Sequence, residues 1–243
     1  MEEHENLIEK IRELLGDSPG KLKILEQQID MDLQMEYYEC SRRVREERNE
    51  DWAYEHMPDL KEPGYPDQLK KEVLARLASL PNVESYRAIE ACMNLAEEPL
   101  RSWAYLALNE SRMLLESKIM DENQIYISTG LGGKGDKLRY FVVLMSRTHV
   151  DLTATQKMVI RNEFEMILRK FDAVMEESEF SGYLATILLL LPLNHSLNSV
   201  FKEAIDECNR YGNFLHDDFI VTNVRVLSFE EIEDFIERRN KKD

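Results

Sequence analysis

The sequence changes character near Met120, and this change limits the folds open to the chain more than any other feature. Before it, apolar residues recur every three or four positions, which is typical of amphipathic helices. After it, short apolar runs alternate with glycine and proline, which is typical of strands joined by turns. The sequence therefore predicts a mixed α+β chain with a helical scaffold domain over residues 1–120 and a small α/β domain over residues 121–243.

Several helices are expected in the N-terminal half. The pattern predicts a short helix at residues 7–15 and one long helix from Leu22 to about Arg48. The charge run Arg42–Arg48 is expected to coat the exposed end of the long helix. A segment rich in proline and aromatic residues, 49–66, follows as an irregular connection or a binding loop. Prolines divide the remainder into three shorter predicted helices, at residues 68–80, 83–96 and 100–117.

The stretch Glu98–Leu108 places an acidic residue and an arginine before an Ala-rich apolar face. It resembles the second helix of a HEAT-like repeat, and the resemblance covers about fifty residues, from Gln68 to Ser117. The resemblance implies a scaffold that presents a concave helical surface to another protein, and it implies no catalytic residue. Because repeat architectures need three or more units to bury a continuous core, an irregular helical bundle is the alternative.

The C-terminal half predicts strands, helices and turns in alternation. Capping boxes mark the starts of a helix at Thr153 that runs to about Glu177 and of a last helix at Ser228. The continuous apolar run Leu184–Leu191 suits a buried strand, although a buried helix has the same pattern. The predicted order of this half is β-β-α-β-α-β-α, with helices covering at least one face of one sheet.

The glycine-rich segment between the first two of these strands is the foremost candidate for a binding site. Glycine lets backbone N–H groups approach a phosphate, and neighbouring cations would add positive charge. The segment lacks the Ser or Thr and the following helix that a Walker A loop requires, so a flexible hairpin loop is the alternative. The candidate ligand- or partner-binding residues are Gly130, Gly132, Gly133, Lys134, Gly135, Lys137 and Arg139.

Charge and cysteine content bear on the partners and on the compartment. With 31 Lys and Arg against 47 Asp and Glu, the net charge is −16. A field of this sign repels nucleic acid and anionic lipid, so nucleic acid is predicted to be an unlikely partner, and a basic protein surface a suitable one. The three cysteines are far apart, the first ten residues lack the features of a signal peptide, and the longest apolar stretch is too short to span a membrane. We expect a cytoplasmic protein without membrane contact.

Two further groups of residues have the chemistry of a site. His216, Asp217 and Asp218 could bind a metal or act in acid–base chemistry, but no His-x-x-x-His or Cys-x-x-Cys motif accompanies them, and polar residues at a strand entrance are the plainer interpretation. Cys208 lies on the apolar stripe of its predicted helix, which indicates a buried, inert thiol. The sequence therefore predicts no catalytic residue, no metal site and no cofactor.

The function predicted from these observations is that of a non-enzymatic interaction or adaptor protein. It would bind a protein partner through an acidic helical surface and the glycine-rich segment. The alternative is a nucleotide- or phosphometabolite-binding protein or enzyme that uses the segment from Gly130 to Lys137. The sequence specifies neither the partner nor the oligomeric state.

Overall fold

The computed structural model describes residues 22–120 and 125–240. These residues form two compact units. One contains residues 22–23 and Ile29–Ile127, and the other contains Ile24–Gln28 and the residues from Ser128 onward. The helix predicted at residues 7–15 lies outside the described residues, and the predicted domain boundary after residue 120 stays a prediction. Among the described helices, none is both long and apolar enough to cross a membrane.

Helices make up most of the unit that contains Ile29–Ile127. In chain order its elements are the first two residues of β1 (Leu22–Ile24), α1 (Met31–Glu47), α2 (Glu50–His56), a 3₁₀ helix (Met57–Lys61), α3 (Asp67–Ala78), α4 (Val83–Leu95), α5 (Leu100–Met120) and β2 (Ile125–Ile127). Strand β1 pairs with β2. The long helix predicted from Leu22 begins only at Met31, because Asp30 accepts hydrogen bonds from the first free backbone N–H groups of α1 and caps it there.

The helices of this unit form a bundle around Trp103. This side chain is 1% exposed, and its indole N–H donates to the backbone carbonyl of Lys71 at 3.0 Å. The Tyr37 ring meets Trp103 edge to face at 5.2 Å. Helix α5 packs on α1, α3 and α4, and α3 also packs on α1, α2 and α4. In a HEAT-like stack each helix pair would contact only its neighbours, so the arrangement is that of the irregular bundle.

The second unit is built on an antiparallel sheet. Its elements are β3 (Gly133–Lys134), β4 (Lys137–Met145), α6 (Ala154–Lys170), β5 (Val174–Ser181), β6 (Leu184–Pro192), α7 (Leu197–Asn209), β7 (Ile220–Thr222) and α8 (Phe229–Asn240). Strand β4 pairs with β6 along its whole length, from Lys137 opposite Pro192 to Met145 opposite Leu184. Strand β5 pairs with the outer side of β6, and β7 and β3 pair with the other side of β4.

Helix α6 connects β4 to β5 and passes over β6, which lies between them. Helix α7 connects β6 to β7 and passes over β4. The resulting succession β-α-β-β-α-β, with β7, β4, β6 and β5 side by side, is that of the ferredoxin-like split βαβ arrangement. The prediction of a mixed α+β chain, helical first and sheet-based second, is confirmed.

Both faces of the sheet are covered. On one face Phe141, Val143 and Met145 form a buried cluster with Ile232 and Ile236 of α8. The alternate residues of β4 are buried as well, since side chains of a strand point to opposite faces. Helix α6 packs on both α7 and β5. The sheet therefore has no open face for a ligand along β4. Strand β5 forms one edge of the sheet, and β3 and β7 lie at the other.

One strand of this unit is absent from the predicted order. The helix predicted to reach Glu177 ends at Lys170, and residues Val174–Ser181 form β5. The strand lies at the edge of the sheet and most of its residues are exposed, so it carries glutamates and no long apolar run. This composition is compatible with a helix, and pairing with β6 decides the conformation.

Candidate anion-binding cavity

The structure places three of the four glycines of the predicted site inside the protein. Gly130, Gly132 and Gly133 are buried. A Cβ at Gly130 would lie 1.8 Å from the backbone oxygen of Val224, and one at Gly132 would lie 2.6 Å from that of Glu26. The protein's own backbone therefore makes the close approach that these glycines permit.

The exposed part of the segment is the β3–β4 hairpin. Lys134 and Gly135 are exposed there, and Gly135 has a φ of +62°. Lys137 forms an ion pair with Asp172 at 2.9 Å. Arg139 binds both carboxylate oxygens of Glu176, at 2.5 and 3.0 Å, so carboxylates of the same unit already hold two of the three predicted cations. Ligand or partner binding by this segment stays a prediction.

The polar corner at His216 is held by local contacts. The Asp218 backbone N–H donates to Nδ1 of His216 at 3.0 Å, and Asp217 pairs with Arg147 at 2.6 Å. Across residues 22–120 and 125–240, no group of three or more His, Cys, Asp or Glu side chains is arranged to hold a metal ion. Cys208 is buried, and burial raises the pKa of its thiol to about 12.

A cavity of about 270 Å³ lies in the helical unit, at the end of α1. Its walls come from the last turn of α1, the turn into α2 and the end of α3. The residues that line it are Val44, Arg45, Arg48, Asn49, Glu50, Arg76, Ser79 and Leu80. Three of these are arginines and one is a glutamate, which is an unusual balance in a chain of net charge −16.

Local backbone structure brings the cavity walls together. Arg48 ends α1 in the left-handed conformation, with φ 49° and ψ 43°, and its N–H donates to the carbonyl of Val44. Asn49 then begins α2, because its side chain accepts a hydrogen bond from the N–H of Trp52. On the opposite wall Ser79 donates its hydroxyl hydrogen to the carbonyl of Arg76 at 2.7 Å and closes the end of α3. Helix α1 thus ends and α2 begins within two residues.

Arg76 is the most buried cation of the cavity, with 8% of its side chain exposed. Its Nη2 donates to Glu72 at 2.7 Å and also to Glu47, and its Nε donates to Glu72 at 3.2 Å. Burial lowers the pKa of Arg76, but the hydrogen bonds with both glutamates raise it by more. The remaining nitrogen, Nη1, is buried and has no hydrogen-bond partner. A buried charged donor without a hydrogen-bond partner is costly. The guanidinium carbon of Arg76 also lies 5.2 Å from the centre of the Trp52 ring.

Arg45 and Arg48 are the other two arginines of the cavity wall. Arg45 donates through Nε and Nη2 to the buried carboxylate of Glu110, with the Nε contact at 3.0 Å, and this fixes its guanidinium. Glu110 in turn accepts hydrogen bonds from Tyr37 and Ser41, at 2.6 and 2.9 Å. Arg48 is exposed, and its guanidinium makes no ion pair with any residue that the structure describes. The carboxylates behind the cavity therefore orient two guanidinium groups, and the third is free.

This arrangement suits a tetrahedral oxyanion. Guanidinium groups present several N–H donors in a fixed plane, which matches the geometry of phosphate and carboxylate oxygens. Sequence analysis missed the site, because Arg76 lies 28 residues beyond Arg48 and only folding brings the two together. The available signal was the arginine-rich run Arg42–Arg48, which was expected only to coat a helix end.

Comparison with known proteins finds similarity among solved structures. No family model matches the chain, and no curated protein matches it. Among solved structures, a transposase candidate from Deinococcus radiodurans R1 is similar over 42% of this chain and 90% of its own, with 16% identity and a TM-score of 0.37. A REP-associated tyrosine transposase bound to a REP hairpin is similar over 41% of this chain and 61% of its own, with 14% identity and a TM-score of 0.32.

Against these neighbours the predicted non-enzymatic adaptor function is wrong, and so are the descriptions of the chain as HEAT-like and protein-binding. The prediction that nucleic acid is an unlikely partner is also wrong, since one neighbour was solved on a REP hairpin. That prediction used the net charge, which is a sum over the whole chain. In the structure Arg45, Arg48 and Arg76 line one cavity, where carboxylates pair with Arg45 and Arg76, and Arg48 forms no ion pair with a described residue.

Proposed function

We propose that this protein binds nucleic acid and that the cavity at the end of α1 receives a backbone phosphate. The observation that carries the proposal is the buried Nη1 of Arg76, a charged donor without a partner in a wall that also contains Arg45 and Arg48. Because this nitrogen is buried, the Arg76 side chain would turn toward the cavity for a phosphate oxygen to become its acceptor. Charge-assisted hydrogen bonds of this kind are shorter and stronger than those between neutral groups.

The size of the cavity favours one group of a larger ligand over a whole small molecule. Pockets that enclose small molecules occupy about 300–1,000 Å³. The cavity volume of about 270 Å³ is just below that range. A phosphate with part of its sugar would fit, while the rest of the ligand would continue along the protein surface.

The surface beside the cavity favours a polyanion. Arg42 and Arg45 stand three residues apart on α1, and Arg48 directly follows the last residue of the helix, so the three form a ridge at the end of α1. At a rise of about 1.5 Å per residue the ridge extends about 9 Å, which is enough to meet successive phosphates of one strand. Arg42 is exposed and has no ion-pair partner among the described residues. A free phosphate ion would use the cavity but not this ridge.

The test is fluorescence anisotropy with labelled oligonucleotides at low salt, in the forms of a single strand, a DNA hairpin and an RNA hairpin. Arg48→Gln removes the free cation of the cavity without breaking an ion pair to any described residue. We expect the dissociation constant to rise about tenfold or more, since a hydrogen bond to a charged group contributes about 1.5–3 kcal/mol. The slope of log K against log salt should fall by about 0.7 for a single strand.

Arg101→Gln is the matched control, because Arg101 is exposed, lies outside the cavity and loses the same charge. The proposal is overturned if no oligonucleotide binds, or if both variants weaken binding equally. Inorganic phosphate is tested separately by thermal shift. Stabilisation by phosphate, lost in Arg48→Gln, without binding of any oligonucleotide would assign the cavity to a free anion and would refute the nucleic-acid proposal.

A cytoplasmic location stays part of this proposal. Cys40, Cys92 and Cys208 are all unpaired, which suits a reducing compartment.

A further inference from the structure

A second cluster of cations lies in the sheet-based unit, where α6 covers the edge strand β5. We define the α6–β5 patch as Lys157, Arg161, Ser178 and Phe180. The Arg161 guanidinium carbon lies 5.0 Å from the centre of the Phe180 ring, and the Lys157 ammonium lies 5.8 Å from it. Arg161 also donates through Nε to the hydroxyl of Ser178 at 3.1 Å.

The charges of this patch are not neutralised. Lys157 and Arg161 stand four residues apart on one helix, a spacing at which like charges repel each other. Within the part of the chain that the structure describes, neither side chain forms an ion pair. Nearby cations behave differently, since Arg169 pairs with Glu165 and Lys170 pairs with Glu203. The glutamates of β5 do not compensate the patch, because Glu177 and Glu179 alternate with Ser178 and Phe180 and therefore point to the other face of the sheet.

The patch is also accessible. Arg161 is exposed, and Lys157 and Phe180 are half-buried. Strand β5 pairs only with β6, so its outer edge carries no further strand of the described chain. A ligand at this edge would meet two cations and an aromatic side chain together.

We infer that the α6–β5 patch binds single-stranded nucleic acid by stacking a base and contacting its phosphates. Bases stack on aromatic rings and on guanidinium planes, and single-strand-binding surfaces combine such groups with cations that follow the backbone. This inference rests on the proposed function, nucleic-acid binding, and adds that the nucleic acid is single-stranded. It uses residues separate from those of the cavity.

The experiment compares a single-stranded oligothymidylate with an abasic strand of the same length, both measured by fluorescence anisotropy on the full chain. Lys157→Gln/Arg161→Gln should weaken binding of both strands about tenfold or more. Phe180→Leu keeps an apolar side chain but removes the ring, so it should weaken binding of the oligothymidylate about tenfold and leave binding of the abasic strand unchanged. Lys170→Gln/Lys202→Gln is the control, since it removes two exposed cations of the same unit outside the patch.

The outcomes separate this inference from the proposed function. If Arg48→Gln weakens binding while Lys157→Gln/Arg161→Gln matches its control, the patch inference is refuted and the proposed function stands. If Phe180→Leu weakens binding of both strands equally, stacking is refuted. If the patch variants weaken binding but Arg48→Gln does not, nucleic acid binds at the patch and the assignment of the cavity fails. Circular dichroism of each variant checks that the fold is retained.

Discussion

The substitution Gly130→Ala tests why the glycine-rich segment contains glycine. If its glycines exist for an external ligand, alanine should affect binding and leave stability nearly unchanged. In the structure the new methyl group would lie 1.8 Å from the oxygen and 2.7 Å from the carbonyl carbon of Val224. To reach 3.0 Å from that oxygen, the two backbones must separate by about 1.2 Å.

The displaced segment is anchored on both sides, so the movement has a cost. The N–H of Leu131 donates to the carbonyl of Asn223 at 2.9 Å, and Thr222 pairs with Phe141 in the sheet. Forcing an extra methyl group into such a contact destabilises a protein by about 1–3 kcal/mol, and a lost hydrogen bond adds about 0.5–1.5 kcal/mol. We expect a total of about 2–4 kcal/mol for Gly130→Ala.

Hydrogen exchange of the amides shared by β4 and β6 is the measurement. These amides exchange when the unit opens, so their protection should fall by about 30- to 700-fold, since 1.4 kcal/mol corresponds to a factor of ten. Tryptophan fluorescence would be a poor substitute, because Trp52 and Trp103 are the two tryptophans of the chain and both lie in the helical unit.

Gly135→Ala is the control within the same segment. Its φ of +62° disfavours alanine, but nothing lies within 4 Å of the added carbon. The expected cost is about 1 kcal/mol, or roughly a fivefold loss of protection. If Gly130→Ala costs no more than Gly135→Ala, the backbone contact with Val224 does not explain the glycine.

Three further predictions concern other parts of the chain. Trp103→Ala should lower the stability of the helical unit by about 3–5 kcal/mol in urea unfolding, because a 1% exposed ring is replaced by a cavity; a cost below 1 kcal/mol would contradict its central position. The pKa of Glu231 is lowered to about 2, first by its hydrogen bond with Arg225, so its stabilising effect should be complete above about pH 4.5 and decline as the pH falls toward 2. Glu231→Gln should therefore reduce the acid sensitivity of the urea midpoint over that range, and an identical pH profile would refute the contribution. Burial raises the pKa of Cys208 to about 12, so iodoacetamide at pH 8 should modify half-buried Cys40 before Cys208 in the folded protein, as read by peptide mass spectrometry; equal labelling would show that Cys208 is reached without unfolding.

The amino-acid sequence determined the elements whose signals are local. The capping box at Thr153 begins α6 as predicted, and the apolar run from Leu184 forms β6. These two predictions are correct because helix caps and apolar sequence patterns depend on residues only a few positions apart. The change of pattern near Met120 likewise separates the helical part of the described chain from the sheet-based part.

Tertiary structure decided the rest, because the deciding contacts lie outside the local sequence pattern. Strand β5 is exposed and acidic, and its conformation is decided by pairing with the next strand, β6, across the turn between Ser181 and Leu184. Gly130 and Gly132 lie against the backbones of Val224 and Glu26, and no local sequence pattern connects these residues. From the sequence, the run of arginines at the end of α1 indicates only a solvated helix end. The fold places Arg76 of α3 beside this run, and one buried nitrogen of Arg76 has no hydrogen-bond partner.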